Sequence, residues 1–253
     1  MKKSLTKNSY IDEYILKRPL FLALIRSLEI SFYIKQEYGK KILDYGCGDG
    51  YFTQTLINFF PKLFGNKNFF GFDINRNSLK VAEKVKIYKK LSFQKKEFGN
   101  DFNGVIANCV FEHLEKPKEE LRWIRSRLKK GGKLYCTVMT DKWEENLFLP
   151  KRWWRKKQKH VNLYSIKQWQ NYFKEGGFKI LNSEVYLNSE QCRWMEWLHF
   201  ISLPYLISYV FWKDWSKVGR FYDLWYKKSR LREIFTQEAK AKEAGAAFFL
   251  LQK

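Results

Sequence analysis

Residues 44–50 read Asp-Tyr-Gly-Cys-Gly-Asp-Gly, with glycines at alternating positions behind a short apolar run. Gly46, Gly48 and Gly50 accept positive φ and carry no Cβ, so a ligand can lie directly against the backbone. Residues 40–45 read as a strand, and residues 51–60 put Phe52, Leu56 and Phe59 on one helical face before Pro61. A strand that enters a glycine turn and leaves as a helix is a place for a nucleotide-sized ligand. The dinucleotide fingerprint needs a glycine at its sixth position, where this chain has Tyr51, so the spacing turns away from a nicotinamide-dependent enzyme. Asp73 closes the next apolar run (NFFGFDIN), where a carboxylate can accept from both hydroxyls of a ribose.

Those residues need a frame. Residues 10–38 carry apolar groups at helical spacing, with Leu24, Leu28 and Phe32 on one stripe. Residues 69–74 predict a strand, Asn77 or Ser78 caps a helix through about Ile87, and residues 91–98 predict a further strand. Residues 102–110 are apolar enough to be buried on both faces. The next helix starts at Pro117, has a basic final turn and ends at Gly131 and Gly132, the polarity the helix dipole favours. Strands are expected at 133–140, 178–187 and 246–252, a Ser165-capped helix at 165–175, and an aromatic, mostly helical stretch at 191–240. This order predicts an open α/β sheet with helices on both faces.

Residues 42–53 (ILDYGCGDGYFT), Asp73, residues 102–113 (FNGVIANCVFEH) and the helix-Gly-Gly-Lys-strand of 121–140 together resemble the class I S-adenosylmethionine-dependent methyltransferases. The branch most similar includes the ubiquinone and menaquinone C-methyltransferases and many small-molecule and glycan O-methyltransferases. The likeness covers about residues 40–187 plus the closing strand. It implies a Rossmann-like, seven-stranded, mostly parallel sheet, with the last strand antiparallel and a helical insertion before it. It also implies S-adenosylmethionine as cofactor, with Gly46, Cys47, Gly48 and Gly50 beneath the methionine part and Asp44 under the loop, orienting the amino group. By the same resemblance Asp73, with Ile74 beside it, holds the ribose, and Glu97 accepts from the adenine amine. The backbone around Ala107 and Asn108 faces the methionine amino group. Two departures from the family are a much shorter connection from Phe98 to Phe102 and Asn103 in place of a common Asp.

A sulfonium is an activated methyl donor, so the protein must align the acceptor and, for an oxygen acceptor, remove a proton. No metal is required. His160 is the candidate base, because a His followed by a Tyr and a Ser-capped helix recurs at this point in the resembling branch. His160 and Tyr164 are therefore expected at the acceptor. Glu112 and His113 lie at the mouth of the fourth strand, with His113 read as structural.

The chain has 48 Lys+Arg against 26 Asp+Glu, a formal charge of +22, which favours anionic surroundings. Its four cysteines show no CxxC spacing and it has three His, so no zinc site is expected and reduced thiols fit a cytoplasmic protein. Lys2 and Lys3 precede Asp12 and Glu13, and the apolar run 19–25 is closed by Arg26, which does not read as a secretion signal.

Residues 150–160 (PKRWWRKKQKH) combine six Lys/Arg and two Trp without an acid, a composition suited to nucleic acid or to an anionic membrane interface. Residues 198–212 hold no charge, yet they fall short of the roughly 20 residues a spanning helix needs, and Pro204 interrupts them. The expected organisation is a helical segment at 1–39, a methyltransferase domain at 40–187 and 245–253, and an insertion at 188–244. That insertion is read as a lid or as a peripheral contact at the inner face of the membrane. The expected acceptor is a small molecule, a glycan or a lipid-linked group. An RNA acceptor is the weaker reading, and a catalytically inactive binding or scaffold protein on the same fold is the alternative from another class.

Overall fold

The computed structural model describes residues 9–253 apart from 203, 205, 206, 208, 209 and 212–215. Strands β1 (Lys41–Tyr45), β2 (Asn68–Phe72), β3 (Tyr88–Ser92), β4 (Phe102–Asn108), β5 (Leu128–Met139), β6 (Lys179–Tyr186) and β7 (Ala246–Gln252) form one sheet in the order β3-β2-β1-β4-β5-β7-β6. β1 through β5 pair in parallel, and β7 lies antiparallel between β5 and β6. The strand order reverses between β1 and β4, and the crevice at their carboxyl ends is where open α/β sheets bind ligands. The glycine loop leaves β1 at that point.

The helices, in chain order, are α1 (Ser9–Lys17), α2 (Leu20–Tyr33), α3 (Tyr51–Phe59), α4 (Pro61–Phe64), α5 (Arg76–Val85) and α6 (Pro117–Arg127). They continue as α7 (Asp141–Glu145), α8 (Lys151–Gln158), α9 (Ile166–Glu175), α10 (Ser189–Ile201), α11 (Ser216–Lys228) and α12 (Leu231–Ile234). Because strand side chains alternate between faces, neighbouring residues enter different apolar layers. Ile42, Ile106, Tyr135 and Phe248 join α1, α2, α3 and α10 to α12. Leu43, Val105, Leu134 and Phe249 join α6 and α9 on the other face. α10 packs against α2 and α11 against α1.

Several boundaries differ from the sequence expectation, each for a local reason. The helical stretch expected over 10–38 is two helices, because Pro19 (φ −51°, ψ 141°) turns the chain ahead of α2. α5 is capped by Asn75, whose side-chain oxygen accepts from the N–H groups of Asn77 and Ser78 at 3.0 and 3.3 Å, so neither of those is the cap. Pro61 sits at the start of α4 as well as after α3. The strand expected at 91–98 ends at Ser92, whose hydroxyl accepts the Gln94 N–H at 3.0 Å, and a 3-10 turn follows at Lys95–Glu97. α6 stops at Arg127; Gly131 and Gly132 lie within β5, where Gly131 takes φ +73° beside a register shift. The capping box at Ser165 and Gln168 starts α9 as expected.

The basic-aromatic stretch at 150–160 contributes α8, and Trp154 is buried rather than set in an open loop. Of the uncharged run 198–212, residues 203, 205, 206, 208, 209 and 212 lie outside the described residues. Among the described residues no helix is long and apolar enough to cross a membrane.

Candidate active site

β1 and β2 build the loop together. The N–H groups of Gly46 and Cys47 both donate to the Phe72 carbonyl, at 2.8 and 3.0 Å. Gly46 has φ +79°, and a Cβ there would come within 2.5 Å of Val110 Cγ2. Gly48 has φ +54° and opens on space, since a Cβ would meet nothing within 4 Å. Gly50 has φ +77° and leads into α3. Steric need therefore sets Gly46, whereas Gly48 leaves a cradle that a ligand can enter.

Asp73 follows β2 at the rim of this cradle. Its Oδ2 accepts the Gly48 N–H at 2.8 Å and its Oδ1 the Asn75 N–H at 2.7 Å. Asp44 is buried beneath the loop, where Thr53 and Tyr88 hydroxyls each donate to its Oδ2 at 2.6 Å. Burial raises its pKa to about 6, against the pull of those two hydrogen bonds. Asn108, at the end of β4, receives a hydrogen bond from Thr137 at 2.9 Å and donates to Glu29 at 2.8 Å. Glu97 is elsewhere: it accepts from the Ser92 hydroxyl at 2.8 Å and pairs with Lys90 at 3.1 Å. It borders none of the cavities described below, because its short 3-10 turn points it along β3; Lys95 lines the rim instead.

Three cavities meet here. One of about 570 Å³ is bounded by Gly46, Asp73, Ile74, Cys109 and His113. A second of about 170 Å³ is bounded by Arg18, Arg26, Asp44, Cys47, Gly48 and Asn108. The third, about 250 Å³, lies under Trp143, Trp154 and Met195, with Glu112 and His160 in its wall. Cys109 and His113 border both the first and the third, and Arg26 both the second and the third. The outer wall is held by Glu196, which is buried and accepts from Trp154 Nε1 and Leu149 N at 2.8 Å and from Phe148 N at 2.7 Å.

The structure places His160 and Tyr164 differently. His160 faces the third cavity with its ring centroid 5.0 Å from that of His113. Burial, with repulsion from His113 and Arg155, lowers its pKa to about 3. Tyr164 borders none of these three cavities: its ring packs on Trp169 at 4.8 Å and its hydroxyl donates to Asn162 at 3.1 Å. A backbone bridge to Thr140 fixes it there, outside those three cavities.

Sequence reasoning missed Arg26 and Glu29, spaced i,i+3 on α2 inside an apolar stripe. Glu29 is fully buried and pairs with Arg26. It also accepts from Asn108 and from the Tyr186 hydroxyl at 3.2 Å. Burial opposes the charge on Arg26, but Glu29 and Cys109 hold its pKa well above the ordinary value. Opposite charges one turn apart in a hydrophobic helix were the available signal. Glu112 was also undervalued: burial raises its pKa to about 7, with its own backbone N–H, Arg26 and the Cys109 thiol pulling it down and Glu29 pushing it up.

A Rossmann-like sheet with a glycine cradle at the switch point and an acid after β2 defines a nucleotide-cofactor protein. Residues 14–183 match the family described as a methyltransferase domain, and the chain belongs to that family, the class I S-adenosylmethionine-dependent methyltransferases. The open face at Gly48 and the acid at Asp73 fit that cofactor. A malonyl-[acyl-carrier protein] O-methyltransferase of Halalkalibacterium halodurans is 31% identical over 105 residues, 38% of this chain and 37% of the relative. A tRNA U34 carboxymethyltransferase of Campylobacter hominis is 28% identical over 178 residues, 65% of this chain and 60% of the relative. The chain thus spans between 37% and 60% of the length of these curated relatives. The crystal structure of a SAM-dependent methyltransferase from Archaeoglobus fulgidus superposes with a TM-score of 0.56 at 17% identity, covering 91% of this chain and 93% of that one. At that identity the superposition shows the fold.

Proposed function

We propose that the chain transfers the methyl group of S-adenosylmethionine to an acceptor seated in the 250 Å³ cavity under Trp143, Trp154 and Met195. The observation that carries this reading is the shared wall: Cys109 and His113 on one side, and Arg26 on the other, separate that cavity from those along the glycine loop. When bound, S-adenosylmethionine supplies an already activated methyl group. The loop at Gly46, Cys47, Gly48 and Gly50, with Asp73, would hold its methionine and ribose ends. Asp44 and Asn108 line the cavity beneath the loop, and Ile74 and Lys95 line the rim where a purine would rest. The aromatic wall excludes water and orients the acceptor, and Glu112, His113 and His160 form the polar corner at which a proton is taken from an oxygen acceptor.

This lining suits a small or lipid-linked acceptor with an apolar body and one polar group. α10, which packs on α2 and brings Met195 and His199 to the cavity, acts as its lid. The test is calorimetric titration of the chain with S-adenosylmethionine, followed by assay of S-adenosylhomocysteine release across apolar hydroxyl and carboxyl acceptors. Binding and turnover are expected; binding without turnover on any acceptor favours the scaffold reading.

A polyanionic acceptor is the second reading, favoured by the net charge of +22, and one relative is named for tRNA. Retention of tRNA on a filter at physiological salt, followed by methylation of it, would support that reading over the first. The exposed rings of Phe148, Trp197 and Phe221 on the insertion side favour peripheral contact with anionic lipid. Equal sedimentation with and without anionic vesicles removes the lipid contact.

A further inference from the structure

Glu112, His113 and His160 each offer one ligand atom, and these atoms all lie within 4.8 Å of one another. We propose that this corner binds a divalent transition-metal ion through two imidazoles and a carboxylate, with its open positions facing the acceptor cavity. Two imidazoles and a carboxylate are a known donor set for zinc and for non-haem iron. Metal binding here does not depend on the methyl-transfer reading.

The first support is unspent hydrogen-bonding capacity. Glu112 is fully buried, yet neither of its carboxylate oxygens makes a hydrogen bond of ordinary geometry, and the buried Nδ1 of His160 makes none either. Buried polar atoms are rarely left so, and a cation at the centre of the three residues satisfies them together. The second support is rigidity. The Glu112 carbonyl accepts the N–H groups of Val161 and Asn162 at 2.7 and 3.0 Å. The Asn162 side chain donates to the carbonyls of Phe111 and Leu114 at 3.1 and 2.6 Å. The loop carrying His160 is thereby stitched to the turn carrying Glu112 and His113. The third is orientation: His113 Nδ1 lies 3.2 Å from the Lys159 carbonyl, and donation there leaves Nε2 as the ligating nitrogen, the second-sphere arrangement common to metal-bound histidines. Metal–ligand bonds of about 2.0–2.2 Å require the three groups to close in on the ion from this spacing.

An ion held here would coordinate an acceptor oxygen and favour its deprotonated form. His199, the remaining histidine, borders the same cavity but packs on the rings of Phe21 and Trp154 and stands outside the cluster, so it serves as a control.

The test uses untagged, chelator-stripped chain. Co²⁺ is titrated while visible absorption is followed, and Zn²⁺ binding is measured by equilibrium dialysis. The expected result is one equivalent per chain with cobalt ligand-field bands, a loss of affinity of tenfold or more in Glu112→Gln and in His160→Ala, and retention in His199→Ala. S-Adenosylmethionine binding by the same samples reports that the isosteric Glu112→Gln variant is folded. Absence of stoichiometric binding, or binding that survives in Glu112→Gln, overturns the proposal. Metal binding in a chain that does not bind S-adenosylmethionine contradicts the methyltransferase reading alone.

Discussion

Asp73 accepts the Gly48 N–H at 2.8 Å with one carboxylate oxygen and the Asn75 N–H at 2.7 Å with the other. The acid that closes β2 therefore also sets where the glycine cradle stands relative to α5. Asp73→Ala removes the proposed ribose acceptor and the tether to the cradle together. Its affinity for S-adenosylmethionine should fall tenfold or more by calorimetry, with Asp73→Asn between the two. Wild-type affinity in Asp73→Ala would remove the residue from the cofactor site.

Gly46 and Gly48 separate folding from binding. Gly46→Ala combines a left-handed φ with a Cβ 2.5 Å from Val110, so it should destabilise the chain by about 2 kcal/mol or more in urea. Gly48→Ala meets no neighbour and should cost only about 1 kcal/mol, for its φ of +54°. The added methyl enters the cradle proposed for the cofactor, so binding rather than stability is what it should lose. Equal loss of stability in both variants would contradict this division.

Asp44 predicts an unusual pH dependence. Its folded pKa, raised by burial to about 6, exceeds the unfolded value of about 3.9. The folded state therefore binds the extra proton, and stability from this group is complete below the unfolded pKa and lost as pH rises through 6. The loss is on the order of 2–3 kcal/mol. Asp44→Asn keeps an oxygen to accept from Thr53 and Tyr88, so it should flatten melting temperature between pH 4 and about 7 and stabilise the cofactor-free chain at neutral pH. A variant less stable than wild type at pH 7 would show that the ionised carboxylate is well accommodated.

Glu29→Ala leaves the Arg26 charge without its buried partner and removes an acceptor from Asn108 and Tyr186. Breaking such a pair costs about 3–5 kcal/mol. Denaturant titration checks this, and a loss below about 1 kcal/mol would mean that Arg26 reaches water.

Glu196→Ala should loosen the cavity wall alone. The Phe148 and Leu149 amides, which donate to its carboxylate, are expected to exchange hydrogen faster, while S-adenosylmethionine affinity stays unchanged. Unaltered exchange at both amides would show that the wall is held by something else.

Much of the frame was legible because it rests on local chemistry. The glycine spacing, the Ser165 cap and the apolar run of the closing strand are all visible in neighbouring residues. What was not legible depends on contacts across the chain. Tyr164 sits in the expected segment, but its ring packs on Trp169 and its hydroxyl bonds to Asn162, outside the proposed acceptor cavity. Glu97 is near the right strand, yet β3 ends five residues before it and sends it to Lys90. Arg26 and Glu29 meet Cys109 and Asn108, more than 75 residues away, only once the fold closes over them. The proximity of His160 to Glu112 arises from the loop at Val161 and Asn162 closing on the turn after β4, a pairing no spacing encodes.

The most direct test of the central claim is calorimetric titration of the purified chain with S-adenosylmethionine, with NAD⁺ as the comparison ligand. One S-adenosylmethionine should bind per chain, with no heat from NAD⁺ and loss of the signal in Gly48→Val. Absence of S-adenosylmethionine binding, or undiminished binding in Gly48→Val, would contradict it.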